Sequence, residues 1–508
     1  MQNAGRFDSG METPDPRTAT GCEGLDRIIE GGFPSRRLYL IEGSPGTGKT
    51  TLALQFLLEG VRNGEPVLYV TLSETKEELT NVAQSHGFSM DGIDIHELIP
   101  AEESLKTETQ YTIFHPSEVE LGDITKAVTD EVERLQPTRV VFDSLSEMRL
   151  LARDPLKYRR QILALKQFFA GRCCTVLLLD DRTSANGDLQ VQSIAHGVLM
   201  LEQLALDYGT DRRRLRVIKL RGSRFLGGYH DFNIRTGGVT VFPRLIAANH
   251  HTSFAFESLS SSVPELDTLL GGGLDRGTTT LIMGPAGSGK SSIAIQFAAT
   301  ATRQGESAAL FIFDEGVQTL LARLAGMGTN LTPQIEDGRI KIQQIDPAEL
   351  SPGEFASLVK TSVEKDGAKV VIIDSLNGYM QAMPDERFLT VQMHELLTYL
   401  NQQGVVTLLV MAQHGFMGPS MDSPVDVSYL ADNVVMLRYF EAIGAVRRAI
   451  SVTKKRTGFH ENTIREFQLS SKGVEVGRPL SQFRGLLTGV PVFLGEESLL
   501  PDGGESNA

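Results

Sequence analysis

LYLIEGSPGTGKTTLALQFLLEG, residues 38–60, is the stretch that decides the fold of this chain. It reads as an apolar strand, a glycine-rich loop and an amphipathic helix, and residues 43–50 fit the pattern GxxxxGK followed by Ser or Thr. Residues 278–300, TTTLIMGPAGSGKSSIAIQFAAT, repeat this order, and residues 284–291 fit the pattern equally well. Glycines let backbone N–H groups curl around an anion that a Cβ would exclude, and the following helix directs its positive end at that anion. Each stretch therefore predicts a site for nucleotide phosphates.

The two loops predict ligands for ATP and for its Mg²⁺ ion, the two cofactors that we expect. Lys49 and Lys290 are expected to contact the β- and γ-phosphates. The hydroxyls of Thr50 and Ser291 are expected to ligate Mg²⁺. The predicted phosphate-binding residues are Gly43, Ser44, Pro45, Gly46, Thr47, Gly48, Lys49, Thr50 and Thr51 in the first loop, and Gly284, Pro285, Ala286, Gly287, Ser288, Gly289, Lys290, Ser291 and Ser292 in the second. The alternative is a chance glycine-rich turn, which two matches in the same strand–helix context disfavour.

The loops belong to a repeat that runs through the chain. LYVTLSET (68–75) parallels LFIFDEG (310–316), and VVFDSLSEM (140–148) parallels VVIIDSLNG (370–378). Short apolar runs alternate with helical patterns in both halves, which predicts βαβ units. We therefore predict an α/β protein with two tandem P-loop NTPase domains, each a mostly parallel sheet flanked by helices. The predicted limits are a flexible arm (1–17), the first domain (18–247), a linker (248–262), the second domain (263–493) and a short acidic tail (494–508).

Two aspartates are candidate metal ligands. Asp143 ends the apolar strand RVVFD and Asp374 ends the strand KVVIID. An acid at the tip of such a strand suits the ligation of Mg²⁺, either directly or through water. The alternative is a helix N-cap, because Ser144 and Ser375 follow the aspartates.

A second acidic site is predicted one strand away. Glu74 in the first half, and Asp314 and Glu315 in the second, are candidate catalytic residues that orient or deprotonate the attacking water or hydroxyl. The alternative is a solvated helix start, which acidic residues also favour. Ser73 stands where Asp314 stands in the other half. This difference motivates the alternative of a nucleotide-gated scaffold with little catalysis.

A basic pair stands near the end of each half. The pairs are Lys219 with Arg221, and Lys454 with Arg456. On a strand, residues two apart share a face, so each pair is a candidate clamp for a nucleotide phosphate across a subunit boundary. The alternative is an exposed basic strand edge that discourages aggregation.

Composition restricts the class of protein. The chain has 508 residues and a formal net charge of −14, which argues against a generally basic, nucleic-acid-coating protein. It contains no apolar run of about 18 residues, so we expect no membrane-spanning helix. The three cysteines have no metal-ligand spacing, and Cys173 and Cys174, which begin an apolar run, are predicted to be buried and reduced. Reduced thiols and a polar N-terminus favour a cytoplasmic location.

These residues together resemble the KaiC family, the tandem RecA-like ATPases whose founding member is a circadian-clock ATPase and autokinase. The resemblance runs from about Thr18 to Phe493. Its most specific stretches are FMG (416–418), DNVVMLRY (432–439) and RRAISVTKKRTGFHENTIREF (447–467). A generic P-loop motif does not account for these stretches, which lie outside both glycine-rich loops.

The resemblance implies two RecA-like domains per chain and a two-tiered homohexamer with ATP between adjacent subunits. The first tier would mainly hydrolyse ATP slowly. The second tier would also act as a serine/threonine kinase on its own ring. Ser428 matches the family's acceptor serine, and Tyr429 replaces the neighbouring threonine and is kept as a second candidate acceptor. A clock-type or signalling protein would be a further partner.

A DNA motor of the RecA type is the remaining alternative. It would need a basic, aromatic-bearing pore loop. Residues 144–160 and 375–388 follow the two aspartate-tipped strands and are the candidates for such loops. Their mixed composition does not favour this alternative, and nucleic acid is not an expected partner.

Overall fold

A computed structural model describes residues 16–98, 116–152, 154–182, 189–206, 209–381, 386–413, 429–442, 444–486 and 492–494. Most of the predicted N-terminal arm, the candidate acceptor Ser428 and the tail after residue 494 lie outside these residues. The chain divides into two compact units, residues 1–244 and residues 245–508.

The first unit is an α/β domain built on a nine-stranded sheet. Its strands, two of which form a short separate pair, are β1 (Arg17–Thr18), β2 (Phe33–Pro34), β3 (Leu38–Gly43), β4 (Val67–Thr71), β5 (Ile93–Glu97), β6 (Arg139–Asp143), β7 (Thr175–Asp181), β8 (Gly197–Leu204), β9 (Arg212–Leu220), β10 (His230–Arg235) and β11 (Gly238–Phe242). Its helices are α1 (Glu23–Ile28), α2 (Lys49–Arg62), α3 (Lys76–Ser85), α4 (Pro116–Leu135), α5 (Leu145–Ala152), α6 (Pro155–Ala170) and α7 (Leu189–Ile194).

The sheet of the first unit is mostly parallel. Its strand order is β11-β10-β9-β8-β3-β7-β6-β4-β5. The strands from β8 to β5 pair in parallel, whereas β8 to β11 pair antiparallel. Parallel neighbours need crossover connections, and helices α2 to α7 supply them. The predicted fold class is confirmed in this unit.

The second unit repeats this architecture. Its strands are β12 (Ser258–Leu259), β13 (Leu274–Asp275), β14 (Thr279–Gly284), β15 (Ser307–Ile312), β16 (Ile340–Gln344), β17 (Ala368–Asp374), β18 (Val406–Ala412), β19 (Asn433–Ala442), β20 (Ala445–Lys455), β21 (Arg465–Ser470), β22 (Gly473–Pro479), β23 (Phe483–Arg484) and β24 (Val492–Phe493). Its helices are α8 (Pro264–Leu269), α9 (Lys290–Arg303), α10 (Val317–Gly326), α11 (Thr332–Glu336), α12 (Pro352–Glu364), α13 (Leu376–Gln381) and α14 (Glu386–Gln402).

The two main sheets have the same topology. The order in the second unit is β16-β15-β17-β18-β14-β19-β20-β21-β22, which matches the first order strand for strand when it is read from the other end. The parallel and antiparallel pairs also correspond. The peptide bonds Asp143–Ser144 and Asp374–Ser375 are both cis. This correspondence lets each residue of one site be matched with a residue of the other.

The central strand β3 is buried on both faces, as its continuous apolar run predicts. Tyr39 and Ile41 pack into a cluster with residues of α1 and α2. Leu38 and Leu40 pack into a second cluster with residues of α4, α5 and α6. Successive side chains of a strand point to opposite faces, so this alternation fixes the strand between two helical layers. The glycine-rich loop therefore starts from a rigid position.

An arginine is buried in the first unit. Arg139, the first residue of β6, is 1% exposed, and its Nε donates to Glu65 at 2.7 Å. Its Nη1 donates to the carbonyls of Ala19 at 2.6 Å and Phe56 at 2.8 Å. Val370 occupies the corresponding register position of β17. The first unit therefore has a buried guanidinium at a register position where the second unit has an aliphatic side chain.

The segment between the predicted domains contributes to the second unit. β12, within the predicted linker, pairs with β13, and Ala247, the last residue predicted for the first domain, is buried in a core cluster of the second unit. The predicted limits, with a linker at residues 248–262, stay a prediction. Within the described ranges, no helix is long and apolar enough to cross a lipid bilayer.

The prediction for the cysteine pair is half wrong. Cys174 is buried, and burial raises the pKa of its thiol to about 11. Cys173 is exposed because it lies in the turn before β7 begins, where the side chain is not yet committed to a face of the sheet. Cys22 is also a buried free thiol.

Candidate functional site

The two glycine-rich loops begin where the central strands end. β3 ends at Gly43 and α2 begins at Lys49, while β14 ends at Gly284 and α9 begins at Lys290. Each central strand lies between two parallel neighbours, so the carboxyl ends of several strands meet beside the loop. Ligands of open α/β sheets bind at this edge. The prediction of a strand, a loop and a helix is confirmed in both units.

The loops have the shape of an anion cradle. Gly48 and Gly289, which precede the two helices, have φ angles of +94° and +104°. A Cβ on Gly48 would lie 2.4 Å from Cδ1 of Ile234, and one on Gly289 would lie 2.7 Å from Cε1 of Phe467. Only glycine fits at these positions, and the first N–H groups of each helix, which have no partner within the helix, stay available. The residues present therefore fit a polyphosphate.

Lys49 is fully engaged in the first loop. Its Nζ donates to the carbonyls of Gly43 and Ser44, both at 3.0 Å, and lies 2.7 Å from Oδ1 of Asp181. Asp181 is the last residue of β7 and the register partner of Gly43. Asp181 was not predicted as a site residue. The sequence feature that could have identified Asp181 is the second aspartate of LLLDD, at the end of strand β7, which pairs with β3.

The predicted metal pair is assembled in the first unit. Thr50 Oγ1 donates to Oδ2 of Asp143 at 3.3 Å, and the hydroxyl of Tyr69 donates to the same oxygen at 2.5 Å. Burial raises the pKa of Asp143, and the Tyr69 hydrogen bond opposes this effect. Burial and the Asp143 charge hold the pKa of Tyr69 well above its usual range, so Tyr69 stays a donor. Tyr69 was missed because its role depends on the pairing of β4 with β6.

Glu74 lies beside this pair with one oxygen unsatisfied. Its Oε2 is buried and has no hydrogen-bond partner within the described ranges. Burial raises the pKa of Glu74, and the charge of Asp143 adds to the rise. Ser73 is exposed. A half-buried carboxylate with a raised pKa and one buried, unpaired oxygen suits a general base.

The second loop holds its lysine differently. Lys290 Nζ donates to the carbonyl of Pro285 at 2.7 Å, and no ion pair to this lysine is found among the described residues. Burial lowers the pKa of Lys290. Tyr439 donates to the carbonyl of Ala286 at 3.2 Å, so an aromatic ring lies against this loop. Tyr439 was not predicted as a site residue.

The second metal pair is also assembled. Burial raises the pKa of Asp374, and a hydrogen bond from Ser291 opposes that rise. The charge of Asp314 raises the pKa further. The last predicted phosphate contacts, Thr51 and Ser292, are both buried and follow Thr50 and Ser291 in the chain. Thr51 forms a hydrogen bond with His86 at 3.3 Å, and Ser292 accepts one from Arg323 at 3.4 Å.

The two acids of the second unit have separate partners. Arg323 of α10 binds both oxygens of Glu315, with Nε at 3.2 Å and Nη2 at 2.7 Å. Asp314 accepts a hydrogen bond from the hydroxyl of Ser375. Val82 occupies the position of Arg323 in the first unit, seven residues into the equivalent ten-residue helix. Arg323 was missed because nothing in the sequence joins it to Glu315.

The basic pair of the first unit lies away from its own loop. Lys219 donates to the carbonyl of Gln192, and Arg221 donates to that of Ser193 at 2.8 Å. β9 runs antiparallel to β8, and Leu220 pairs with the first residue of β8. The pair therefore lies at the amino end of the parallel strands, roughly 20 Å, one strand length, from the loop.

The second basic pair has the same position. Lys454 donates to the carbonyl of Ala431 at 2.7 Å. Arg456 contacts Asp432 at 3.3 Å and the carbonyl of Tyr429 at 3.1 Å. Tyr429 is 50% exposed. The other candidate acceptor, Ser428, lies outside the described residues.

Comparison with known proteins agrees with the duplicated site. The family model for the KaiC ATPase matches residues 18–246 and again residues 259–481. The chain is 26% identical over 477 residues to the circadian clock oscillator protein KaiC of Parasynechococcus marenigrum, with 93% of this chain and 92% of that protein covered. It is 24% identical over 496 residues to the circadian clock protein KaiC3 of Synechocystis sp., with 94% and 95% covered.

Replacing Asp143 with Asn is expected to stabilise the chain at pH 7 in the absence of Mg²⁺. Because burial raises the pKa of Asp143, the folded state binds its proton more tightly than the unfolded state, and the charged form costs stability at neutral pH. Asn retains an acceptor for Tyr69 without the charge. We expect a gain of about 1 kcal/mol in urea unfolding, as for other relieved functional sites.

The gain should shrink as the pH falls, because the wild-type carboxyl then takes up a proton. D337N is the matched control, since the hydrogen bonds from Arg339 lower the pKa of the exposed Asp337. It should not stabilise the chain at pH 7. A D143N chain that is less stable than wild type at pH 7 would contradict this account of the site.

Proposed function

This chain belongs to the KaiC family of ATPases, and from that premise we propose that it binds ATP at both loops, hydrolyses it and phosphorylates one of its own serines within a hexameric signalling or timing hub. The observation that carries the proposal is the recurrence of one set of groups in both units. A lysine, a hydroxyl and a strand-tip aspartate meet beside a glycine-lined loop, as Lys49, Thr50 and Asp143 do in the first unit. This is the set that a Mg²⁺-bound triphosphate requires.

Each group has a defined task in the proposed reaction. The loop N–H groups and the lysine bind and orient the β- and γ-phosphates. Thr50 with Asp143, and Ser291 with Asp374, would hold Mg²⁺, which neutralises charge on the phosphates. No group of three or more His, Cys, Asp or Glu side chains able to hold a metal occurs within the described ranges. Two protein ligands suit Mg²⁺, which keeps several waters and takes phosphate oxygens.

We assign hydrolysis chiefly to the first unit. Glu74 has a free buried oxygen and a raised pKa, so it can accept the proton of an attacking water. The exposed Ser73 beside it is not required in this role. The scaffold alternative rested on Ser73, and the environment of Glu74 supports catalysis instead.

We assign the kinase step to the second unit. Arg323 engages both oxygens of Glu315, so Asp314 is the acid left to accept a hydroxyl proton there. In the proposed transfer, the serine Oγ forms a bond to the γ-phosphorus while the bond to the β–γ bridging oxygen breaks. The hydroxyl proton passes to the carboxylate, and ADP leaves. Ser428 is the proposed acceptor and Tyr429 the second candidate.

The ring follows from the family resemblance, and the position of the basic pairs supports it. Lys219 and Arg221 cannot reach their own loop, because they lie at the other end of the same strands. In a ring, one subunit can present this end to the loop of the next, as arginine fingers do. Lys454 and Arg456 would act likewise in the second tier. A clock-type or signalling protein is the proposed further partner.

Replacing Glu74 with Gln is expected to reduce ATP hydrolysis about 100-fold, because a general base contributes at least that factor. Phosphate release should be measured in chains that carry K290A, so that only the first site turns over. E77Q removes an exposed charge from α3, the helix that begins two residues after Glu74, and should hydrolyse ATP at the unmodified rate. The assignment of Glu74 is wrong if E74Q and E77Q chains release phosphate equally fast.

Incubation with Mg-ATP is expected to give one phosphorylated peptide, containing Ser428, by mass spectrometry. S428A and K290A should abolish it, because they remove the acceptor and the lysine of the second loop, whereas K49A should not. Y429F tests the other acceptor and should leave the peptide phosphorylated. Unphosphorylated peptide together with intact hydrolysis would reduce the proposal to an ATPase without kinase activity.

Mixing K49A chains with R221A chains is expected to restore hydrolysis that each chain lacks at its first site. At some interfaces the intact loop of an R221A chain would face the intact basic pair of a K49A neighbour. In a randomly mixed, equimolar ring this arrangement occurs at about a quarter of the interfaces. Both chains should carry K290A, and light scattering should show hexamers that form with ATP. Hexamers without recovered activity would contradict the clamp, and persistent monomers would contradict the ring.

A further inference from the structure

The two loops differ at one register position beside the lysine. β7 pairs with β3 so that Asp181 is the partner of Gly43, and β18 pairs with β14 so that Ala412 is the partner of Gly284. The first site therefore has a carboxylate where the second site has a methyl group. The side chain of Asp181 is 30% exposed, and that of Lys49 is 8% exposed.

The backbone at this position is held in the same way in both units. The N–H of Asp181 donates to Oγ of Ser146 at 3.0 Å, and the N–H of Ala412 donates to Oδ1 of Asn377 at 2.8 Å. Ser146 and Asn377 are each the second residue of the helix that follows the metal-binding strand. A change of side chain at either position therefore leaves its main-chain anchor intact.

Asp181 uses a donor that a phosphate needs. A lysine ammonium has three N–H donors, and those of Lys49 face Gly43, Ser44 and Asp181. A phosphate oxygen can bind Lys49 only by replacing one of these acceptors. Gly43 and Ser44 belong to the loop itself, so the carboxylate is the replaceable partner. Lys290 has one such acceptor among the described residues, the carbonyl of Pro285.

We propose that Asp181 is an internal anion that competes with nucleotide phosphate for Lys49 and makes the first site bind ATP more weakly than the second. After displacement the carboxylate stays next to the loop, where it repels the polyphosphate. The second site lacks this competitor and fills at lower ATP concentrations. The inference rests on ATP binding at both loops, as proposed above.

Calorimetry with a Mg-bound, non-hydrolysable ATP analogue tests the competition. In K290A chains only the first site can bind, and D181A is expected to lower the Kd about 10-fold, which corresponds to about 1.4 kcal/mol. In K49A chains only the second site can bind, and A412D is expected to raise the Kd by about the same factor. If D181A lowers the Kd of the first site and A412D raises the Kd of the second, the carboxylate, and not its surroundings, sets the difference in affinity between the two sites.

D130A, which removes an exposed charge from α4, is the control for net charge and should leave the Kd unchanged. D181N keeps the shape of the side chain and should also tighten binding, so a misfolded D181A chain would not prevent the test. An unchanged Kd in both Asp181 variants overturns the inference. A raised Kd overturns it too, because Asp181 would then belong to the Mg²⁺ site. A K290A chain that binds no analogue in any variant instead contradicts the proposed function of the first loop.

Discussion

Each half of this protein depends on one lysine ammonium held at the mouth of a glycine-lined loop. The loop needs backbone angles that only glycine adopts freely, as Gly48 and Gly289 show, and its position is set by a central strand that is buried on both faces. The ammonium is itself buried, so its charge must be balanced by loop carbonyls, a carboxylate or a phosphate. The neighbouring strands are arranged to bring those groups to it.

The two units share a topology and differ in the charges that surround the loop. In the first, Lys49 has a carboxylate partner, and Glu74 keeps a buried oxygen without a partner among the described residues. In the second, the lysine has no such partner among them, and Glu315 is neutralised by Arg323. Both units have thus kept the glycine-lined loop, but the ion pair beside it involves the loop lysine in the first unit and an acid of the second acidic site in the other. That difference is the physical basis for assigning different reactions to the two halves.

Much of the fold followed from the sequence, because local patterns carry it. Apolar runs, glycine-rich loops and the internal repeat predicted the parallel strands and the loop-helix junctions, and Thr50 and Asp143, predicted as ligands of one ion, lie 3.3 Å apart. Tyr69, Asp181 and Arg323 escaped prediction because each acts through a residue of another element or one eight positions away in the chain. The contacts of Tyr69 and Asp181 depend on strand register, and that of Arg323 depends on how α10 follows Glu315; a single sequence displays neither. Cys173 was wrongly predicted to be buried because it adjoins an apolar run, whereas the buried run begins one residue later, at Cys174.

The buried Arg139 restrains how the first half can change over evolutionary time. Its guanidinium is tied to Glu65 and to two carbonyls, so a substitution that removes either charge leaves polar groups stranded in the interior. Replacing either residue alone is therefore expected to lower stability, so Arg139 and Glu65 constrain each other. Val370, at the matching place in the second half, can be exchanged for other aliphatic residues one step at a time. The two copies of the domain therefore place different limits on substitution at this one register position.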